Sequence, residues 1–245
     1  MRDLTAVILA AGKGVRMKSD LPKVFHEIMG EPMLTYVIQT VQKLSPQKIL
    51  LVVGHMRKLI MDYYKDWPVE FVVQVAQLGT GHAVMQAEPR LREFSGNVLV
   101  LAGDVPLIRE ETLRRLIEFH EKNNAAVTDL TAELDDAGSY GRVVRKPNGE
   151  LVKIVEKKDA LPEELKIREF NTGTFCFDKK ALFSALKEVR VENAQKEYYL
   201  TDTVEILKNM GLPAFAFLAN DASETLGINT REELVAVEKI LLASS

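Results

Sequence analysis

The sequence predicts an α/β fold: a mixed, mostly parallel sheet with helices on both faces and a lobe that carries an antiparallel hairpin. Over the first half, four apolar segments of strand length alternate with amphipathic segments of helix length, which is typical of a parallel sheet with helical crossovers. After Asn124 this order changes, because Pro147-Asn148-Gly149 separates two short strand-like segments in the manner of a hairpin turn.

The first half is predicted to hold four strands, each followed by a helix. Residues 5–9 form a continuous apolar run, which is typical of a strand buried on both faces. Between Met33 and Leu44 the apolar residues recur with the period of a helix. The other predicted elements of this half are strands at 49–53, 70–73 and 98–101 and helices at 57–64, 82–88 and 110–123.

The second half is predicted to begin with the hairpin and to end in a helix. Asp178 has the side chain of a helix N-cap, and Thr230 with Glu233 forms a capping box. The predicted elements are strands at 143–145, 151–155, 170–177 and 214–218 and helices at 179–189, 203–210 and from 231 toward 242. Because no low-complexity linker or repeat interrupts the chain, we expect one domain.

The composition narrows the class of protein. The 245 residues are 47% hydrophobic and 27% charged, which is the balance of an ordinary globular protein. The net charge of −3 argues against a nucleic-acid partner, and the single cysteine, Cys176, excludes an internal disulfide or a thiolate metal cluster. No signal peptide or 18-residue apolar stretch is evident, so we expect a cytoplasmic protein without a membrane partner.

The loop after the first predicted strand has the features of an anion site. From Gly12 to Lys23 it carries four cations and one acid, a local charge of 4 − 1 = +3 on an acidic chain. Its glycines let several backbone N–H groups face one point, which suits phosphate oxygens. The cations are Lys13, Arg16, Lys18 and Lys23.

Neither standard phosphate-binding template fits this loop. The Walker sequence is missing, and Met17 stands where the third glycine of a dinucleotide-binding fingerprint would be. A P-loop NTPase and a classical dehydrogenase are therefore disfavoured.

A second loop, Gly103-Asp104, directly follows a predicted buried strand. Ligands of open α/β sheets lie at the carboxyl ends of strands, and a carboxylate there can hold a hard divalent cation. Next to a cationic loop on the same edge, Asp104 becomes a candidate Mg²⁺ ligand.

Further segments follow these loops in a fixed order, and together they resemble the sugar-phosphate nucleotidyltransferases, in particular the N-acetylglucosamine-1-phosphate uridylyltransferase branch. The resemblance extends from about residue 4 to 235. It is carried by LAAGKGVRM at 9–17, LPK at 21–23, QLGTGHA at 77–83, GDVPL at 103–107, YGR at 140–142, IVEKKDA at 154–160, NTG at 171–173, EYYLTD at 197–202 and GINTR at 227–231.

The resemblance implies a Rossmann-like nucleotidyltransferase fold, with a nucleotide half at about 1–124, a sugar half at about 125–229 and a C-terminal helix over 230–245. It implies the reaction of UTP with N-acetylglucosamine 1-phosphate to give UDP-N-acetylglucosamine, a peptidoglycan precursor, and pyrophosphate. It also implies Mg²⁺ as cofactor.

Site roles follow from the same resemblance, position by position. The catalytic residues would be Arg16, Lys23 and Asp104, and the metal ligands Asp104 and Asn229. The nucleotide would be bound by Leu9, Ala11, Gly12, Gly14, Lys23, Gln74, Gln77, Gly79 and Thr80. The sugar would be bound by Gly141, Glu156, Asn171 and Thr201.

The chain departs from the family pattern at two site positions and at its end. Val15 replaces a common Thr beside the phosphates, and Ala102 replaces a common Tyr, which we expect to enlarge the base pocket and change affinity without abolishing the reaction. The bifunctional relatives continue into a trimeric β-helix with acetyltransferase activity. This sequence holds no hexapeptide repeat, so we expect a monomer without that second activity.

The residues themselves leave two alternatives open. Another nucleotide and sugar pair, such as dTTP or UTP with glucose 1-phosphate, would use the same charges. A nucleotide-sensing module without turnover would be expected to have lost some of them, whereas Arg16, Lys23, Asp104 and Asn229 are all present.

Overall fold

The computed structural model describes residues 2–17 and 19–244. Within these ranges the strands are β1 (Leu4–Ala10), β2 (Glu27–Ile28), β3 (Glu31–Pro32), β4 (Lys48–Val53), β5 (Glu70–Val73), β6 (Asn97–Ala102), β7 (Val127–Glu133), β8 (Arg142–Arg145), β9 (Leu151–Val155), β10 (Glu169–Asp178) and β11 (Ala214–Leu218). The helices are α1 (Met33–Lys43), α2 (Arg57–Tyr63), α3 (Thr80–Met85), α4 (Glu110–Lys122), α5 (Lys179–Leu186), α6 (Asp202–Asn209) and α7 (Arg231–Ser244).

One sheet runs through the whole chain in the order β11-β7-β10-β6-β1-β4-β5. Strands β6, β1, β4 and β5 are parallel to their neighbours in this series, and β11 is parallel to β7. Strand β10 is antiparallel to both β6 and β7. The prediction of a mixed, mostly parallel sheet is therefore confirmed.

Helices cover both faces of this sheet, because each buried strand sends alternate side chains to opposite sides. On β1, Val7 faces the layer of α3, α5 and α6, whereas Ala6 and Ile8 face the layer of α1, α2 and α4. Each helix turns an apolar face toward the sheet, because its apolar residues recur with the helical period. Helix α1, for example, buries Leu34, Val37, Ile38 and Val41.

The predicted hairpin is present as the antiparallel pair β8 and β9. Gly149 in its turn has a φ of 83°, a conformation that side chains other than glycine rarely adopt. The hairpin joins the main sheet through β8, which pairs with β10 at Phe170 and Arg142. It therefore overhangs the carboxyl end of β6, where the Asp104 loop begins.

The predictions of secondary structure were incomplete: the short pair β2 and β3 was not predicted, and α5 ends at Leu186 rather than at 189. Strand β7 was not predicted, although it lies in the sheet between β11 and β10. The helix expected at 82–88 instead begins at Thr80 and ends at Met85, and a 3₁₀ turn follows at Glu88–Leu91. Pro89 in that turn has no backbone N–H to donate within an α-helix, which explains the early end. No helix of the described ranges is long and apolar enough to cross a membrane.

Candidate active site

The loop after β1 is shaped by a close approach between Gly14 and Lys23. Gly14 has a φ of 63°, and a Cβ atom placed on it would lie 2.3 Å from Cβ of Lys23. Only glycine allows this contact, which brings Lys23 back beside the start of the loop. Three of the four predicted loop cations, Lys13, Arg16 and Lys23, line one cavity. The fourth, Lys18, lies outside the described residues, as does the side chain of Val15.

Four charged or amide side chains meet at the mouth of this loop. The Lys23 ammonium forms an ion pair with the Asp104 carboxylate and donates to Asn229 Oδ1 at 2.6 Å. Arg16 Nη2 donates to the same amide oxygen at 2.7 Å. Lys23 and Asp104 are 14% and 18% exposed, so their interaction is screened less than one on the open surface. The predicted catalytic residues and metal ligands are thus brought together.

Two cavities adjoin this cluster. The larger of the two, of about 480 Å³, extends from the cluster across the carboxyl ends of the parallel strands. Its lining includes every residue that was predicted to bind the nucleotide: Leu9, Ala11, Gly12, Gly14, Lys23, Gln74, Gln77, Gly79 and Thr80. Gln74 follows β5 and donates from Nε2 to the Gly79 carbonyl at 3.1 Å. The same nitrogen lies 3.0 Å from Nδ1 of His82.

A segment of the second half closes one side of this cavity. Tyr198 makes two backbone hydrogen bonds with the start of α3 and the loop before it: its N–H donates to the Leu78 carbonyl at 2.8 Å, and its carbonyl accepts from the Gly81 N–H at 2.8 Å. Glu197 lines the cavity next to it. Glu197 was not predicted to line the nucleotide cavity, because this contact joins segments that are far apart along the chain.

A smaller cavity, of about 200 Å³, lies between the hairpin and β10. Gly141, Glu156 and Asn171 line it, as predicted for a sugar site, whereas Thr201 does not. Thr201 contacts this site through Glu156, since its hydroxyl donates to Glu156 Oε1 at 3.0 Å.

Asn171 is aimed by an irregularity in β10. The register with β7 shifts between Asn171 and Thr174, and Gly173 in the shift has a φ of 81°. Bulges of this kind re-aim side chains next to functional sites. Asn171 Oδ1 accepts from the Gly173 N–H at 2.8 Å, and its amide nitrogen, which has no hydrogen-bond partner in the described part of the chain, can donate.

Acidic groups cluster behind the smaller cavity. Burial raises the pKa of Glu156, although the hydrogen bond from Thr201 opposes this effect. Burial, and then the charge of Glu156, raise the pKa of Asp202 to about 6. Asp202 was not predicted as a site residue, because its sequence position marks only the first turn of a helix.

The two cavities meet at one place. Arg16, Ala102, Asp104 and Asn229 line both of them. Ala102 therefore lies at the junction and lines the larger cavity as well, and the expectation that its small side chain enlarges the base pocket stays a prediction.

Cys176 is fully buried in the core, where burial raises the pKa of its thiol.

The α/β sheet covered on both faces and the two joined cavities at its edge have the architecture that the resemblance implied, that of a nucleotidyltransferase. The chain belongs to the family described as the MobA-like NTP transferase domain, whose model matches residues 6–199.

The relatives are more specific. The chain is 50% identical over 236 residues to the bifunctional protein GlmU of Streptococcus mutans serotype c, and 48% identical to GlmU of Streptococcus uberis. Each match covers 96% of this chain and 51% of the relative, so the chain spans about half the length of these curated relatives. A solved UDP-glucose pyrophosphorylase in complex with UDP-glucose has the same fold, with a TM-score of 0.78, 16% identity and coverage of 99% of this chain and 100% of that one.

Proposed function

We propose that this chain transfers the uridylyl group of UTP to N-acetylglucosamine 1-phosphate in the cytoplasm, giving UDP-N-acetylglucosamine and pyrophosphate. The observation that carries the proposal is the junction of the two cavities at Arg16, Asp104 and Asn229. A nucleotide in the larger cavity and a sugar phosphate in the smaller one would place their phosphates together at this junction. The similarity to GlmU proteins over 96% of the chain supports the choice of substrates.

The charges at the junction suit a triphosphate. Arg16 and Lys23 would contact the phosphates and offset the negative charge that develops at the α-phosphorus. The backbone of the glycine loop, with Gly12 and Gly14, would face the phosphate oxygens. Gln74 and Gln77 would contact the base, because amide side chains can both donate and accept hydrogen bonds.

Asp104 and Asn229 offer two oxygen donors of the kind that Mg²⁺ prefers. Their oxygens already converge on one cation, the Lys23 ammonium, which stands in for a metal ion. The described residues hold no group of three or more His, Cys, Asp or Glu side chains that could bind a metal ion. One carboxylate and one amide fit Mg²⁺, which keeps waters and substrate phosphates as its other ligands. When bound, the ion would neutralise phosphate charge.

The chain would act mainly by positioning. A sugar phosphate is already an oxyanion, so the attack on the α-phosphorus needs no general base. Glu156 would accept hydrogen bonds from sugar hydroxyls, and the free amide nitrogen of Asn171 would donate to the sugar. A Cβ atom on Gly141 would lie 3.2 Å from Cγ2 of Ile154 and 3.6 Å from the carboxyl carbon of Glu156, so a larger residue would crowd this wall of the proposed sugar site.

The proposal also assigns one substrate to each half of the chain. Residues 1–124 would bind the nucleotide and residues 125–229 the sugar, and helix α7 (Arg231–Ser244) follows the site. Asn229 then stands at the boundary between the sugar half and this helix.

Pyrophosphate release would test the proposal. The protein with Mg²⁺ would be assayed with UTP, dTTP, CTP, ATP or GTP, each with N-acetylglucosamine 1-phosphate or glucose 1-phosphate. We expect fast release with UTP and the N-acetylated sugar. Release only with another pair would overturn the substrates and keep the reaction class. No release with any pair, from protein that binds UTP, would identify a module without turnover.

A further inference from the structure

The segment 227–230, which carries Asn229 into the junction, is held at each of its backbone N–H groups. The Gly227 N–H donates to the Tyr140 hydroxyl at 2.9 Å. The Ile228 N–H donates to the Asp104 carbonyl at 2.9 Å. A segment outside regular structure would otherwise leave these groups to water.

Glu233 holds the other two N–H groups of the segment. Its Oε2 accepts from Asn229 N–H at 2.5 Å and from Thr230 N–H at 3.1 Å. In return, the Glu233 N–H donates to the Thr230 hydroxyl at 3.2 Å. This is a capping box, here extended by one residue so that it fixes the backbone of Asn229 as well.

The orientation of the Asn229 amide depends on the same segment. Asn229 Nδ2 donates to the Gly227 carbonyl at 3.0 Å, so the amide oxygen is the atom that faces Lys23 and Arg16. Tyr140 fixes the same glycine, because the Tyr140 hydroxyl accepts a hydrogen bond from the Gly227 N–H. The hydroxyl of Tyr140 therefore acts on Asn229 through Gly227.

Tyr140 belongs to the sugar half and has a fixed place there. Its ring packs on Phe170 with 4.5 Å between the ring centroids, and it lines the smaller cavity next to Gly141. A hydrogen bond from this side chain to segment 227–230 therefore joins the wall of the sugar cavity to the candidate metal ligand.

We propose that Tyr140 and Glu233 are positioning residues that hold the Asn229 amide oxygen toward the cation site shared with Asp104. Neither side chain reaches that site itself, and each acts through a backbone N–H of the segment. The inference rests on the proposed function for the identity of the cation and the nucleotide. Partners that orient metal ligands typically contribute 10- to 100-fold to metal affinity or activity.

The test uses Tyr140→Phe, which keeps the ring on Phe170 and removes only the hydroxyl, and Glu233→Ala. Glu233→Gln retains an acceptor oxygen and serves as the conservative variant. Tyr64→Phe is the matched control, since it also removes a buried hydroxyl, one that lies 2.8 Å from Thr35 Oγ1. Thermal unfolding would establish that each variant is folded.

Two readouts would be taken. Mn²⁺ would be titrated into protein with UTP, and free Mn²⁺ followed by electron paramagnetic resonance against a UTP blank. The Mg²⁺ concentration for half-maximal pyrophosphate release would be measured in parallel. We expect Tyr140→Phe and Glu233→Ala to weaken metal binding about 10-fold or more and to raise the Mg²⁺ requirement equally. UTP binding in EDTA should change less than about 2-fold, and Glu233→Gln and Tyr64→Phe should resemble the wild type.

Wild-type metal binding in folded Tyr140→Phe would overturn the role of Tyr140. If Tyr64→Phe weakened metal binding equally, the effect would come from a general loss of stability, and the proposal would be overturned as well. If Glu233→Ala does not fold, Tyr140→Phe still decides the proposal. Absence of turnover in the wild type would count against the proposed reaction alone, because the Mn²⁺ titration needs no turnover.

Discussion

Lys23 is the side chain that joins the two oxygen ligands of the candidate cation site. It pairs with Asp104 and with Asn229, which are 81 and 206 residues away from it along the chain. The motifs around Lys23 and Asp104 predicted both residues separately. Their pairing could not be predicted, because it depends on how three loops from distant parts of the chain meet.

Removing Lys23 or Asp104 should therefore affect turnover strongly. We expect Lys23→Ala and Asp104→Ala each to lower kcat by at least about 100-fold, the scale of one preorganised electrostatic group. Steady-state pyrophosphate release at saturating Mg²⁺ would measure this. Lys48→Ala is the control, since it removes a half-exposed ion pair with Glu70 at 3.3 Å, and such pairs contribute little. A variant with nearly wild-type kcat would remove that residue from the mechanism.

Strand β7 shows what sequence patterning could not supply. Its residues read Val-Thr-Asp-Leu-Thr-Ala-Glu, and the first six are buried although three are polar. Asp129 has no exposed surface, and neither of its carboxyl oxygens has a hydrogen-bond partner among the residues that the structure describes. An aspartate in an otherwise mixed segment argues against a strand, whereas pairing with β10 and β11 on both sides outweighs this local preference.

Asp129 should make the stability of the sheet depend on pH. Burial, with a smaller contribution from Glu169, raises its pKa well above the ordinary value, so the folded state binds a proton more tightly than the unfolded state does. Its contribution to stability is then fully present below the unfolded-state pKa of about 4 and is lost as the pH rises through the folded-state pKa.

Asp129→Asn remains neutral at every pH and should remove this loss. We expect its free energy of unfolding, relative to the wild type, to increase by at least about 1 kcal/mol between pH 4 and pH 8. Urea unfolding of both proteins across this range would measure it. Asp62→Asn, at an exposed position of α2, is the control. The difference between its free energy of unfolding and that of the wild type should stay constant across this pH range. Parallel curves for Asp129→Asn would contradict an uncharged carboxyl in the core.

At the scale of the whole molecule, both halves share one sheet and one core. Strand β10 of the second half pairs with β6 of the first, and the core on that side includes Val7, Val98 and Leu200. The alternating pattern was sufficient to predict a mixed, mostly parallel sheet and its hairpin, but not strand β7. It could not predict that segment 197–200 would reach back to close the nucleotide cavity, because strand order and loop contacts are set by tertiary packing.

The residues at the junction of the cavities also predict the stereochemical course of the reaction at the α-phosphorus. Among the described residues, the four that line both cavities (Arg16, Ala102, Asp104 and Asn229) have no hydroxyl, thiol or imidazole. The Ser139 hydroxyl beside them accepts a hydrogen bond from Arg16 at 3.3 Å and has no base assigned to it, and the Asp104 carboxylate is paired with Lys23. The sugar phosphate should therefore displace pyrophosphate directly, without a uridylyl-enzyme. A UTP made chiral at its α-phosphorus by sulfur should yield a product of inverted configuration, since one in-line displacement inverts this centre and two restore it. Retention, read from the ³¹P spectrum of the product, would mean that a side chain had carried the uridylyl group in between.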